Sequence, residues 1–181
     1  MTQPPLATAR LALTPVTHAD VDALWHIWRE PDVRRYQFDD IDVTRERAAE
    51  IVEAGLVDAR DGLGLWVVRE SGRDPIVGVA GLRPVASSAE HEAGLAGMVE
   101  VVVSLAPAVW RRGYATEALG AVMAYAFTSL KLRHLAAVVD APNAASHAMI
   151  KRLGFVPVGE GVGPHYRFRA YVLARSTPPA D

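Results

Sequence analysis

The most constraining stretch of the chain is Met98–Leu105, in which only Glu100 and Ser104 interrupt an apolar, largely β-branched run. That character is expected of a strand buried on both faces. Immediately downstream, Pro107-Ala-Val-Trp-Arg-Arg-Gly-Tyr-Ala-Thr-Glu117 leads into a helical pattern with Ala115, Ala118, Leu119, Val122 and Ala126 on one face. A buried strand that turns through a glycine into a long helix implies a layered fold of sheet and helix.

The flanking pattern agrees. Arg10–Thr14 alternates as a strand does. Thr17 reads as the N-cap of a helix carrying Val21, Leu24, Trp25 and Trp28, which Pro31 is expected to close. A second helix is expected over about Thr44–Arg60, with Ala48, Ile51, Val52 and Leu56 on one face. Leu65–Glu70 and Ile76–Leu82 read as a hairpin across the turn Ser71-Gly-Arg-Asp-Pro75. Ala86–Gly97 reads as a loop. His134–Asp140 is a further strand, Asn143–Leu153 a short helix with Gly154 as its left-handed cap, and Phe155–Val158 and His165–Ala174 the last strands. The expectation is a single mixed α/β domain over residues 8–175. Residues 1–7 and 176–181 are expected to be loose, because Pro4-Pro5 and the Pro-rich tail extend neither helix nor inner strand.

Composition narrows the function. A chain of 181 residues with half its residues apolar is long enough to bury a core. Its net charge of −2 lacks the basic excess of a nucleic-acid binder and gives no push toward anionic membranes. The absence of cysteine excludes disulfides, thiolate zinc sites and a cysteine nucleophile. No signal peptide or membrane-length apolar segment is visible, so a soluble cytoplasmic protein is expected. The six histidines show no paired ligand spacing, and no metal is expected.

The turn at Trp110–Ala115 carries the chemistry. A helix start leaves backbone N–H groups without intrahelical acceptors and adds partial positive charge. A phosphate group placed there accepts those hydrogen bonds. Gly113 lacks a Cβ, so a diphosphate can approach closely, and Arg111 and Arg112 add charge. A bulky residue at Gly113 is expected to block such a ligand with little loss of fold. Further on, Asn143-Ala-Ala-Ser146 stands just past a strand, with Lys151-Arg-Leu-Gly-Phe155 behind it. No G-x-G-x-x-G follows an early strand, which argues against a dinucleotide-binding fold.

These residues together resemble the GNAT superfamily of acetyl-CoA N-acetyltransferases, in particular the RimJ/RimL-type branch. The resemblance spans about residues 8–175. It rests most on Leu105-Ala-Pro107, Trp110-Arg-Arg-Gly-Tyr-Ala-Thr-Glu-Ala118, Asn143-Ala-Ala-Ser146 and Leu153-Gly-Phe155, with Ala9-Arg-Leu-Ala-Leu-Thr-Pro15, Glu30-Pro-Asp-Val33 and Ile76-Val-Gly-Val79 in support. It implies a central mixed, mostly antiparallel sheet with helices on both faces and two splayed parallel strands, Met98–Leu105 and His134–Asp140. It implies that coenzyme A enters that splay. The backbone of Val103, Ser104 and Leu105 would bond the pantetheine arm. The N–H groups of Arg111, Arg112, Gly113, Tyr114, Ala115 and Thr116 would hold the diphosphate, and Asn143 and Ser146 would line the far side of the thioester. The chain departs from the family pattern in three places: Trp110 stands where the cofactor loop often starts with Gln or Arg, as the RimJ/RimL-type branch tends to have, no tyrosine lies between Asn143 and Phe155 to act as general acid, and Val102-Val103 replaces the commoner Gly-Tyr.

The resemblance implies transfer of an acetyl group from acetyl-CoA to a primary amine, by direct attack within a ternary complex. The alternative is a non-catalytic acyl-CoA-binding module, since fold does not fix function. The attacking amine must be neutral, and Glu100, the only acid in its strand, is the candidate base. A main-chain N–H near Val103 is the candidate oxyanion donor and Ser146 the candidate acid. The acceptor is a small-molecule or peptide amine. Trp25, Trp28, Tyr36, Phe38 and His165 are candidates to line its site, and Asp39, Asp40 and Asp42 to attract a cation. A homodimer stays open.

Overall fold

The computed structural model describes residues 3–85, 87 and 90–175. The tail Ser176–Asp181 lies outside the described residues, as do Ala86, Ser88 and Ala89 of the expected loop. The chain divides into two compact units. One takes the chain up to Arg83 together with Val101–Val122; the other takes Pro84–Glu100 together with the chain from Met123 onward. The division therefore runs through a strand and through a helix.

In the first unit the strands are β1 (Leu6–Ala7), β2 (Leu11–Pro15), β3 (Gly64–Glu70), β4 (Ile76–Pro84, up to Arg83) and β5 (Val99–Leu105, from Val101), hydrogen-bonded in that order. β1, β2, β3 and β4 pair antiparallel, with Leu13↔Val68 and Trp66↔Ala80 fixing the register. β3 is buried over its first five residues, as its unbroken Leu-Trp-Val-Val run requires. Three helices follow β2 and precede β3: α1 (Val21–Trp28), α2 (Pro31–Gln37) and α3 (Arg45–Asp58). Asp20 accepts from the Thr17 N–H and hydroxyl, both at 2.8 Å, which sets the entry to α1. The Thr44 hydroxyl caps α3 by accepting from Arg47 N–H at 3.1 Å. Leu24, Trp28, Val52, Val67 and Val79 meet in one buried cluster.

The sequence reading missed α2. Pro31 does not simply close α1; it opens α2 from its first turn, where a missing N–H costs nothing. Of the N-terminal segment expected to be loose, residues 3–7 are held by the fold. Leu6 and Ala7 pair with Leu13 and Ala12, and the Trp66 indole donates to the Pro4 carbonyl at 2.7 Å. Gln3 is buried and donates to the Leu65 carbonyl. A proline-rich segment needs no ladder when side chains supply its donors.

In the second unit, Glu100 of β5 makes the parallel pair Glu100↔Ala136 with β6 (His134–Asp140). β6 pairs antiparallel with β8 (Arg167–Ala174) over its whole length, and β8 with β7 (Val156–Val162). The mixed sheet expected from the sequence is present. The expected loop Ala86–Gly97 contains a short helical turn at His91–Leu95, whose Ala93 and Leu95 pack with Phe168 and Ala170. α4 (Tyr114–Thr128) runs from the first unit into the second, and α5 (Ala144–Arg152) follows β6. Gly154 ends α5 at φ +92°, the left-handed cap expected.

The Trp66–Pro4 bond gives a test. Trp66→Phe keeps the packed ring but leaves the Pro4 carbonyl without its donor, so stability should fall by about 1–3 kcal/mol in urea unfolding. Limited proteolysis should begin to cut ahead of Thr8 before any other site. Unchanged proteolysis would show that the strand pairing alone holds the segment.

Candidate active site

α4 begins at Tyr114, and the first N–H to find a backbone acceptor is that of Glu117, on the Gly113 carbonyl at 3.0 Å. The N–H groups just before it are the orphan donors of a helix start. Two residues of the turn hold positive φ: Arg111 at +62° and Gly113 at +80°. Among the described residues, a Cβ added at Gly113 would meet only the Arg10 guanidinium, at 3.5 Å. Space above the glycine is therefore open. The left-handed backbone still makes a side chain there cost about 1–2 kcal/mol. The expectation that a bulky residue leaves the fold almost untouched is corrected on that ground: conformation, not crowding, requires the glycine.

The turn is fastened from below. The Trp110 indole donates to the Leu105 carbonyl at 2.7 Å, tying the turn to the end of β5. Tyr114 is buried, and its hydroxyl donates to Glu70 at 2.7 Å. Arg112 also reaches Glu70, at 3.3 Å. Arg111 is exposed and has no ion-pair partner among the described residues. Of the two arginines, Arg111 is thus the one with its charge unspent.

On β5, Ala106 N–H donates to the Val77 carbonyl, and a Cβ at Gly78 would collide with the Ser104 carbonyl oxygen, so β4 lies close along one edge. The other edge of Val101–Leu105 carries no ladder among the described residues. The Ser104 hydroxyl is buried and has no hydrogen-bond partner among the described residues. Leu105 is partly committed, since its carbonyl already holds the Trp110 indole. Unpaired strand edge, orphan helix-start donors and an uncrowded glycine are together the donor set that a pantetheine diphosphate needs, so the residues fit coenzyme A.

The comparisons with known proteins bear on this donor set. The family model for the acetyltransferase (GNAT) domain matches residues 10–156. The chain belongs to that family. It is 27% identical over 177 residues to the N-acetyltransferase YoaA of Bacillus subtilis, covering 97% of this chain and 92% of that one. A GNAT-family acetyltransferase from Bordetella pertussis superposes with a TM-score of 0.82 at 23% identity, covering 94% of this chain and 99% of that one. RimL, a ribosomal α-N-protein acetyltransferase solved with coenzyme A, superposes with a TM-score of 0.76 at 13% identity, covering 94% and 98%. The chain is a GNAT acetyltransferase, whose general reaction is acetyl-CoA-dependent N-acetylation.

The remaining candidates fall in the second unit. Glu100 is 2% exposed, more deeply buried than its place at a strand start suggested. Asn143 caps α5, its side-chain oxygen accepting from Ser146 N–H at 3.1 Å. The Ser146 hydroxyl is half-buried and makes no hydrogen bond among the described residues. His147, the next residue, was not singled out in the sequence, yet its Nδ1 lies 2.8 Å from the buried Tyr171 hydroxyl. It lines a concavity with Lys151, Glu160, Arg167 and Arg169. Only its place beside Ser146 could have signalled it.

The expected acceptor residues are mostly structural. Trp28 is in the core against Phe38, with ring centroids 5.8 Å apart, and the Trp25 indole donates to the Val43 carbonyl. The acidic cluster is partly paired: Arg34 reaches both Asp40 and Asp42. Another concavity is lined by His26, Arg29, Glu30, Arg34 and Asp42.

Two carboxyls beside the turn ionise more readily than usual. The Tyr114 hydroxyl bond, supported by Arg73 and Arg112, holds Glu70 below the ordinary glutamate range. The Thr8 hydroxyl, at 2.5 Å, and then Arg10 do the same for Glu117. A lowered folded pKa contributes stability that is complete above the unfolded value of about 4.3 and is lost as pH falls through the folded one. The stability gap between wild type and Glu117→Gln should therefore be widest above about pH 5 and narrow toward about pH 3. A gap that stays constant across that range would exclude this linkage.

Proposed function

We propose that the chain transfers an acetyl group from acetyl-CoA to a primary amine, either a protein N-terminal α-amine or a small-molecule amine, by direct attack within a ternary complex. The observation that carries the reading is the set of unspent backbone donors at the Arg111–Thr116 turn beside the unpaired edge of β5. In this reading the N–H groups of Arg111, Arg112, Gly113, Tyr114, Ala115 and Thr116 take the diphosphate. The main chain of Val103, Ser104 and Leu105 takes the pantetheine arm, and Asn143 and Ser146 take the thioester end. The cofactor supplies an acetyl group activated as a thioester.

The chain's own residues handle protons and orientation. Glu100 accepts the proton that the ammonium must lose before it can attack. Its burial on β5 supports that role, because a solvated carboxylate on a surface would have no such task. The Ser146 hydroxyl makes no hydrogen bond to protein among the described residues, which supports a role as donor to the departing sulfur. An α-amine with a pKa of about 8 is already neutral in roughly a tenth of molecules at pH 7, so it needs less help than lysine at about 10.4.

The deciding measurement is thiol release from acetyl-CoA with a panel of N-terminal peptides, polyamines and aminoglycosides. Glu100→Gln should lower turnover about 10²–10⁴-fold on the best acceptor, with coenzyme A affinity nearly unchanged. The loss should shrink as pH rises and the amine arrives neutral. A variant that keeps most of its activity at pH 7 would remove Glu100 from the reaction and leave water as the proton acceptor.

A further inference from the structure

We propose that Arg10 is the positioning residue of the diphosphate-binding turn: it holds residues 112–117 in their binding shape and cancels the charge of Glu117, which otherwise opposes an anion there. The proposal rests on the acetyl-CoA reading above. It also gives a task to the segment Ala9–Pro15, which the function has not used.

Arg10 touches the turn along its length. Its Nη1 donates to the Arg112 carbonyl at 3.0 Å. Its Nε donates to Glu117 Oε2 at 2.7 Å, and its Nη2 lies 2.5 Å from the same oxygen. Its backbone N–H donates to Glu117 Oε1 at 2.9 Å. Its guanidinium carbon stands 4.8 Å from the centre of the Tyr114 ring. One planar group with five donors meets three successive demands that no lysine could meet together.

The turn needs such a clamp. It contains a non-glycine residue at positive φ, Arg111, which is strained by about 1–2 kcal/mol. Among the described residues, its orphan N–H groups make no protein bonds that would hold it in place. Glu117 adds an electrostatic conflict: it lies in the first turn of α4 with its side chain 17% exposed. A carboxylate at a helix start competes with a bound phosphate for the same field and the same donors. Arg10, with Thr8 donating to the other carboxylate oxygen, occupies both oxygens of Glu117, so neither is left to compete for the N–H groups.

The test is calorimetric titration of coenzyme A, with stability of each variant read by urea unfolding. Wild type should bind; absence of binding by a folded wild type would overturn the acetyl-CoA reading and this proposal with it. Arg10→Met should weaken coenzyme A about ten- to a hundredfold. Adding Glu117→Gln to Arg10→Met should recover several-fold of that affinity without recovering stability, because the repelling charge is removed and the clamp is not restored. A strut that merely holds the fold predicts that affinity and stability move together. Recovery of neither affinity nor stability in the double variant, or wild-type affinity in Arg10→Met, overturns the proposal. Should Arg10→Met fail to fold, Arg10→Lys decides: it keeps the charge and loses the fork, and should bind less tightly than wild type. Unchanged binding by Arg10→Lys overturns the clamp.

Discussion

A folded chain rarely leaves buried or clustered backbone donors without acceptors, and among the described residues two rows depart from that rule. One row is the β5 edge turned away from β4 over Val101–Leu105. The other is the helix start after Gly113. Neither row is an accident of a loose region. β5 is pinned on its other edge so tightly that Gly78 admits no side chain against Ser104. The turn is tied by the Trp110 indole, the Tyr114 hydroxyl and the Arg10 guanidinium. The donors are open because everything around them is closed.

The same turn shows how a negatively charged protein keeps nearby carboxylates from a helix start. Its net charge is −2, and two glutamates lie directly beside the turn. Glu70 is spent on Tyr114, Arg73 and Arg112, and Glu117 on Thr8 and Arg10. Each carboxylate thereby works as a fastener and contributes little repulsion. The consequence for the arginine pair is asymmetry. Arg112 answers Glu70, so the charge left for a ligand is that of Arg111 and the helix start.

Most of the architecture was legible because each signal was local. The largely apolar run of β5, the helix start at Asn143 and the cap at Gly154 all act within one or two turns of chain. What escaped depended on distant partners. α2 was hidden because Pro31 signals an end and a beginning equally well, and only packing of Val33 into the core chose the second. The N-terminal segment is ordered by Trp66, more than sixty residues away. The left-handed turn opening a helix was readable from Gly113 and the strand before it. The clamp was not, since Arg10 and Glu117 are 107 residues apart.

The acceptor side follows a different logic from the cofactor side. Aspartates 39, 40 and 42 suggested a field that draws in a cationic amine. Arg34 pairs with Asp40 and Asp42, and it shares its concavity with His26 and Arg29. Bulk attraction of a cation is thus weak there, and an exposed ion pair would add little in any case. Selection among amines then rests on shape and on proton state. Proton state favours an α-amine at neutral pH, because that group is already partly neutral. A lysine acceptor would need a strong base or a site that lowers its pKa by desolvation.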